Sequence, residues 1–103
     1  MKRGEIRWYQ FTRPDKRRPV LILTRDSALE FLSEATVAPI TRAIRDIPTE
    51  VILTTDDGMA EQCAINFDHI QTVNKKKLGA VITTVSKETM DNVRRALLFA
   101  LGF

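Results

Sequence analysis

Five to seven short apolar or alternating stretches occupy the first 84 positions, and one stretch with helical spacing closes the chain. Residues 5–11 alternate, with Ile6 and Trp8 pointing one way and Arg7, Tyr9 and Phe11 the other, which predicts a first strand. Trp8, at a central strand position, is expected in the core. Val20 to Leu23 form a continuous apolar run after a turn signal, the pattern of a fully buried strand. Pro19 is expected as the first residue of that strand, where its missing N–H costs nothing. Asp26 and Ser27 offer a cap for a short helical turn through Leu29, Phe31 and Leu32. Further strands are expected over 35–40, with Pro39 at an edge or an end, and over 49–54.

Asp56-Asp57-Gly58 marks a turn. Cys63 to Phe67 and Ile70 to Val73 then read as extended structure, interrupted by a bulge near Asp68-His69. A turn at Lys75-Lys76-Lys77 leads to a last strand over 78–83. Ser86 is a good N-cap, with Glu88 in the first turn, for the one long helix. Met90, Val93, Leu97, Ala100 and Leu101 share one face of it, and Gly102 ends it. Leu98, Phe99 and Phe103 fall off that stripe, so either the core wraps further round the helix or a second chain covers them. The fold class this predicts is α+β, mainly β: a small, partly open barrel with a short inserted helix and a C-terminal amphipathic helix.

Composition narrows the partners. One domain is expected over residues 1–103, with no linker, repeat or low-complexity segment. No apolar run approaches the ~20 residues of a membrane span, and the N-terminus lacks the apolar stretch of a signal peptide. The single cysteine, Cys63, fits a reducing cytoplasm and a buried structural role. One histidine and one cysteine are too few soft ligands for a zinc site, so no metal or cofactor is expected. The formal net charge of +3 leans toward polyanions, and its distribution says more than its sum. Cations concentrate in 13–18, 42–45 and 75–77.

The sharpest local feature is Lys16-Arg17-Arg18 running straight into Pro19 and the buried strand. Proline biases Arg18 toward extended backbone, which mounts its guanidinium rigidly at the rim of the core. A rigid arginine suits a phosphate; the alternative is a solvated basic loop that caps a strand.

Taken together, five motifs occur in order: Arg3-Gly4-Glu5-Ile6, Arg18-Pro19-Val20-Leu21-Ile22-Leu23, Val37-Ala38-Pro39-Ile40-Thr41, the run from Cys63 through Val73 with Leu78-Gly79 after it, and the closing segment from Met90 to Gly102. This whole-chain pattern resembles the MazF/PemK (Kid) toxins of type II toxin–antitoxin pairs. The resemblance implies an SH3-like barrel related to the CcdB gyrase poisons, acting as a homodimer. It implies metal-independent, sequence-specific cleavage of single-stranded RNA, blocked by a cognate antitoxin whose disordered segment orders in the RNA groove. Arg18 matches the catalytic arginine before the proline, and Thr41 the threonine that closes Pro-Ile-Thr. Asp68 falls on an acid that PemK-like members use, but Asn66 stands in place of the arginine that accompanies it. The loop at 12–17 is short and offers only Asp15 as a counterpart for an acid used by some relatives. His69 and Gln71 stand where many members carry glutamine and arginine.

RNA is cleaved without metal when its own 2′-hydroxyl attacks the adjacent phosphorus. The protein must orient the strand, accept that proton, and stabilise charge on the phosphorane. Arg18 is cast as the electrostatic group and Thr41 as a donor to a non-bridging oxygen. His69, with a pKa near neutrality, and Asp68 are the candidate proton acceptors. Lys16, Arg17, Arg42, Arg45 and Gln71 are expected to hold RNA, and Tyr9, Phe11 or Trp8 to stack bases. The competing expectations are a non-enzymatic poison that binds gyrase and a passive nucleic-acid-binding barrel.

Overall fold

The computed structural model describes residues 1–12 and 17–103; the expectations placed on Asp15 and Lys16 lie outside the described residues. Its strands are β1 (Glu5–Gln10), β2 (Arg17–Ile22), β3 (Glu34–Thr41), β4 (Glu50–Leu53), β5 (Cys63–Asn66), β6 (Gln71–Asn74) and β7 (Leu78–Thr84). The helices are α1 (Asp26–Leu29) and α2 (Lys87–Leu101). All described strand pairs are antiparallel, in the order β4-β5-β3-β2-β1-β7, with β6 also on β3. The sheet stays open between β4 and β7 rather than closing into a barrel. Among the described residues no helix is long and apolar enough to cross a membrane.

The buried strand predicted at Val20–Leu23 is central for a reason visible in its alternation. Leu21 packs into the main core with Ile6, Ala38, Ile65, Phe67 and the helix residues Val93 and Ala96. Val20 and Ile22 face the opposite way, into a second cluster with Tyr9, Leu29, Ala35, Val37 and Val73. Both faces of β2 are therefore dry, which is why three consecutive apolar residues stand there without a polar alternate.

β3 carries two different partners along one edge. Val37 pairs with Gln71 of β6 and Ile40 pairs with Ile65 of β5. Three steps along β3 thus correspond to six along the opposite segment, and the surplus is the one-turn 3-10 helix Phe67–His69. The bulge expected near Asp68-His69 is this turn. Phe67 plugs the main core from it, and its N–H donates to the Thr49 carbonyl at 2.9 Å.

Both prolines sit inside strands, not at the boundaries the sequence suggested. Pro19 is the third residue of β2, opposite Trp8, and Pro39 lies within β3, opposite Val20. The N–H of Leu23 donates to Thr36, so by alternation position 19 aims its nitrogen at β3 and position 39 aims its own away from β2. Pro39 then falls in the gap between the β6 and β5 pairings, where no ladder bond is lost. Pro19 falls just past the Val20–Pro39 pair, where the β2–β3 ladder ends. That second break opens the sheet at the start of β2.

α2 forms as the pattern dictates. The Ser86 hydroxyl accepts from the Thr89 N–H at 3.1 Å, and Gly102 closes the helix in the left-handed region at φ 80°. Val93 and Ala96 are buried, with Met90, Leu97 and Ala100 packed against them. Leu101 does not join that stripe: it is 52% exposed, as are Phe99 and Phe103 to a still greater degree.

Glu5, at the head of β1, links the fold to pH. Burial alone pushes its carboxyl pKa up, but the Lys2 N–H and the Arg7 guanidinium, at 3.0 and 2.9 Å, bring it below its ordinary value. A carboxylate with a depressed folded pKa stabilises the protein above its unfolded pKa and loses that contribution as pH falls through the folded value. Glu5→Gln is expected to cost about 1 kcal/mol near neutral pH. In thermal melts, its deficit against the parent should close as pH falls from the ordinary carboxylate value of about 4.3 through the lower folded value.

Candidate nucleic-acid interface

The opening left by Pro19 is a groove of roughly 350 Å³. Its floor continues the inward face of the sheet: Trp8 follows Ile6 on β1, Pro19 precedes Leu21 on β2, Ile40 follows Ala38 on β3, and Cys63 precedes Ile65 on β5. Arg17, Arg42 and Glu61 are the next positions outward on those same faces. Arg18 and Thr41 reach the groove where β2 begins and β3 ends. Both stand just beyond the Val20–Pro39 pair at which the β2–β3 ladder ends, Arg18 two residues before Val20 and Thr41 two residues after Pro39.

Two sequence motifs more than twenty residues apart thus converge on one opening. Arg18 is exposed and flanked by the fixed backbone of Pro19. The Thr41 hydroxyl oxygen accepts the Ala43 N–H at 3.1 Å, which leaves its own hydrogen to donate outward. Arg17 lies over the Trp8 ring at 4.9 Å from its centroid, a cation–π contact that holds the guanidinium on the groove floor. Trp8 is therefore half-buried on the groove floor, not in the core where its central strand position would put it. Arg42 pairs with Glu61 at 3.1 Å.

The remaining expected residues stand elsewhere. Asp68 and His69 are exposed on the 67–69 turn and do not line the groove. The Asp68 carboxylate accepts from the Thr49 hydroxyl at 2.7 Å, and its N–H donates to the Asn66 side chain at 2.9 Å. Gln71 faces Val37, four residues or about 13 Å along β3 from Thr41. Arg45 reaches back to Glu50 at 3.6 Å, while its N–H and that of Asp46 donate to the same buried carboxylate. Its part is to shape the 42–48 connection. In the lysine triplet, the Lys75 ammonium donates to the Leu29 carbonyl, so that charge anchors α1.

Segment 59–63 supplies the wall that sequence reasoning missed. Met59, Ala60, Glu61 and Cys63 all line the groove. The chain is folded back there by Gly58, at φ 92°, whose missing side chain makes room for Thr83: a Cβ would lie 2.4 Å from the Thr83 hydroxyl oxygen. The available signal was the alternation running backward from buried Cys63 to Glu61. Burial raises the Cys63 thiol pKa, and the nearby Glu61 and Asp57 carboxylates push it the same way, so the thiol stays protonated and inert at neutral pH. Among the described residues no three His, Cys, Asp or Glu side chains converge as metal ligands would.

The family described as PemK-like, MazF-like toxin of type II toxin–antitoxin systems matches residues 2–101. The chain belongs to this family. The probable endoribonuclease MazF2 of Mycobacterium tuberculosis is 32% identical over 103 residues, covering 99% of both chains. Among solved structures, the M. tuberculosis toxin MazF-mt6 is 32% identical with a TM-score of 0.88, covering 96% of this chain and 97% of its own. A mycobacterial endoribonuclease solved in complex with its cognate antitoxin is 26% identical with a TM-score of 0.90, covering 100% of this chain and 96% of its own. Membership in the MazF-like family and the shared fold agree with an open antiparallel sheet closed on one side by a C-terminal helix.

Proposed function

We propose that this chain is a toxin that cuts single-stranded RNA at specific sequences, without a metal, through attack of the substrate's own 2′-hydroxyl. The observation that carries this reading is the convergence of Arg18 and Thr41 on one groove, with Arg17 and Arg42 beside them. Arg18 presents a planar pair of donors to the phosphorane oxygens, and Thr41 donates its hydroxyl to a non-bridging oxygen. Arg17 and Arg42 hold flanking phosphates. Trp8 gives a base an aromatic surface at the groove floor.

A relative solved in complex with its cognate antitoxin supports a protein inhibitor for this chain. The exposed apolar residues at the C-terminal end, Phe99 of α2 at 61% and Phe103 just beyond it at 90% exposure, support a homodimer. The mild positive charge and the reduced, buried Cys63 fit a protein that works on RNA in the cytoplasm. The deciding experiment incubates a long single-stranded RNA with the purified protein in excess EDTA and identifies the product ends. Discrete fragments ending in 2′,3′-cyclic phosphate support the reading. Intact RNA from a folded protein that still arrests growth overturns it in favour of a binding poison of the gyrase type.

A further inference from the structure

The groove poses an electrostatic puzzle. Three arginines suit a phosphodiester backbone, yet Glu61 places a carboxylate among them, the one carboxylate lining the groove among the described residues. A like charge next to a phosphate weakens binding, so its presence calls for another contribution. Stability does not supply one. Its pair with Arg42 is open to water on both sides, at 79% and 58% side-chain exposure, and such pairs contribute little to folding. Placement does supply one. Ala64 pairs with Thr41, and the Glu61 carboxylate meets the guanidinium of Arg42, the residue after Thr41, at 3.1 Å.

We propose that Glu61 is the proton acceptor of the cleavage step, oriented by Arg42; this rests on the RNA-cleaving reading above. Its carboxylate takes the 2′-hydroxyl proton as the O2′–P bond forms and the P–O5′ bond breaks. The products are a 2′,3′-cyclic phosphate and a 5′-hydroxyl. The departing 5′-oxygen takes a proton from solvent water, and Glu61 releases its own to solvent, which restores the starting charges. A carboxylate is also an acceptor for this role that the groove itself holds, whereas Asp68 and His69 stand on the 67–69 turn outside it. The charged and titratable groups around Glu61 are Arg42 across the ion pair, Arg17 and Arg18 lining the same groove, the Cys63 thiol, and Asp57, which acts on the same thiol.

The test compares single-site RNA cleavage by the parent protein, Glu61→Gln and Glu61→Asp from about pH 4 to pH 8. The expected result is a loss of about 10²–10³-fold in the rate at saturating RNA for Glu61→Gln, with KM nearly unchanged. The parent's decline toward acid pH should vanish in that variant, and Glu61→Asp should keep both the decline and part of the rate. Cleavage by Glu61→Gln within threefold of the parent overturns the proposal. So does a loss confined to KM, which would make Glu61 a tether for Arg42. A changed cleavage sequence at an undiminished rate overturns it too, because Glu61 would then read a base. Failure of the parent itself to cut RNA strikes the function, not this assignment.

Discussion

Arg18→Ala is expected to lower the rate of RNA cleavage at saturating substrate by about 10²–10³-fold while leaving the melting temperature unchanged. The side chain is exposed, whereas Val20, Leu21 and Ile22, which carry the β2 packing, are fully buried and stay in place. What is lost is a charged, two-pronged donor aimed where negative charge accumulates on phosphorus. Arg18→Lys separates charge from geometry: a point charge on a flexible stem should recover only part of the rate. Thr41→Val removes one neutral donor and should cost about five- to tenfold, the worth of a single hydrogen bond. The measurement is single-turnover cleavage of a defined RNA, with thermal melts of each variant alongside. A full-rate Arg18→Ala would show that Arg18 takes no part in the chemical step.

Phe67→Ala is expected to be the most damaging single truncation to the fold, at about 3–5 kcal/mol. The side chain is 1% exposed and sits on the three-residue insertion that lets β3 hold β5 and β6 on one edge. Losing it leaves a cavity between that turn, β3 and α2. A small protein with a total stability of about 5–15 kcal/mol has little left after such a loss. Urea denaturation should show a large drop in midpoint. A variant that melts within about 1 kcal/mol of the parent would mean the turn collapses onto the gap.

Much of this was legible in the chain. The alternation at Ile6 and Tyr9, the dry run at Val20–Ile22 and the Ser86 cap each specify their local structure with short-range physics, and the elements formed where those signals lie. The convergence of Arg18 and Thr41 on one groove was visible only through the family motifs, because it depends on how β2 and β3 are brought together, a long-range property. The prolines misled for a related reason. A proline limits one hydrogen bond on one side of a strand, and the side it faces is set by the neighbours. Leu101 and Trp8 follow the same logic: helical or strand spacing names a face, and the packing partner decides whether that face is dry. Glu61 escaped notice because its segment is neither strand nor helix, and only the fold brings it beside Arg42.

Trp8 is the only tryptophan in the chain, and its ring lies on the groove floor beneath the Arg17 guanidinium. The indole emission of this protein therefore comes from the candidate site alone. A nucleobase that stacks there must share or displace Arg17, and either event changes the polarity and quenching that the ring experiences. The molecule carries its own optical gauge of groove occupancy, with no label attached and with catalysis and binding readable on separate channels.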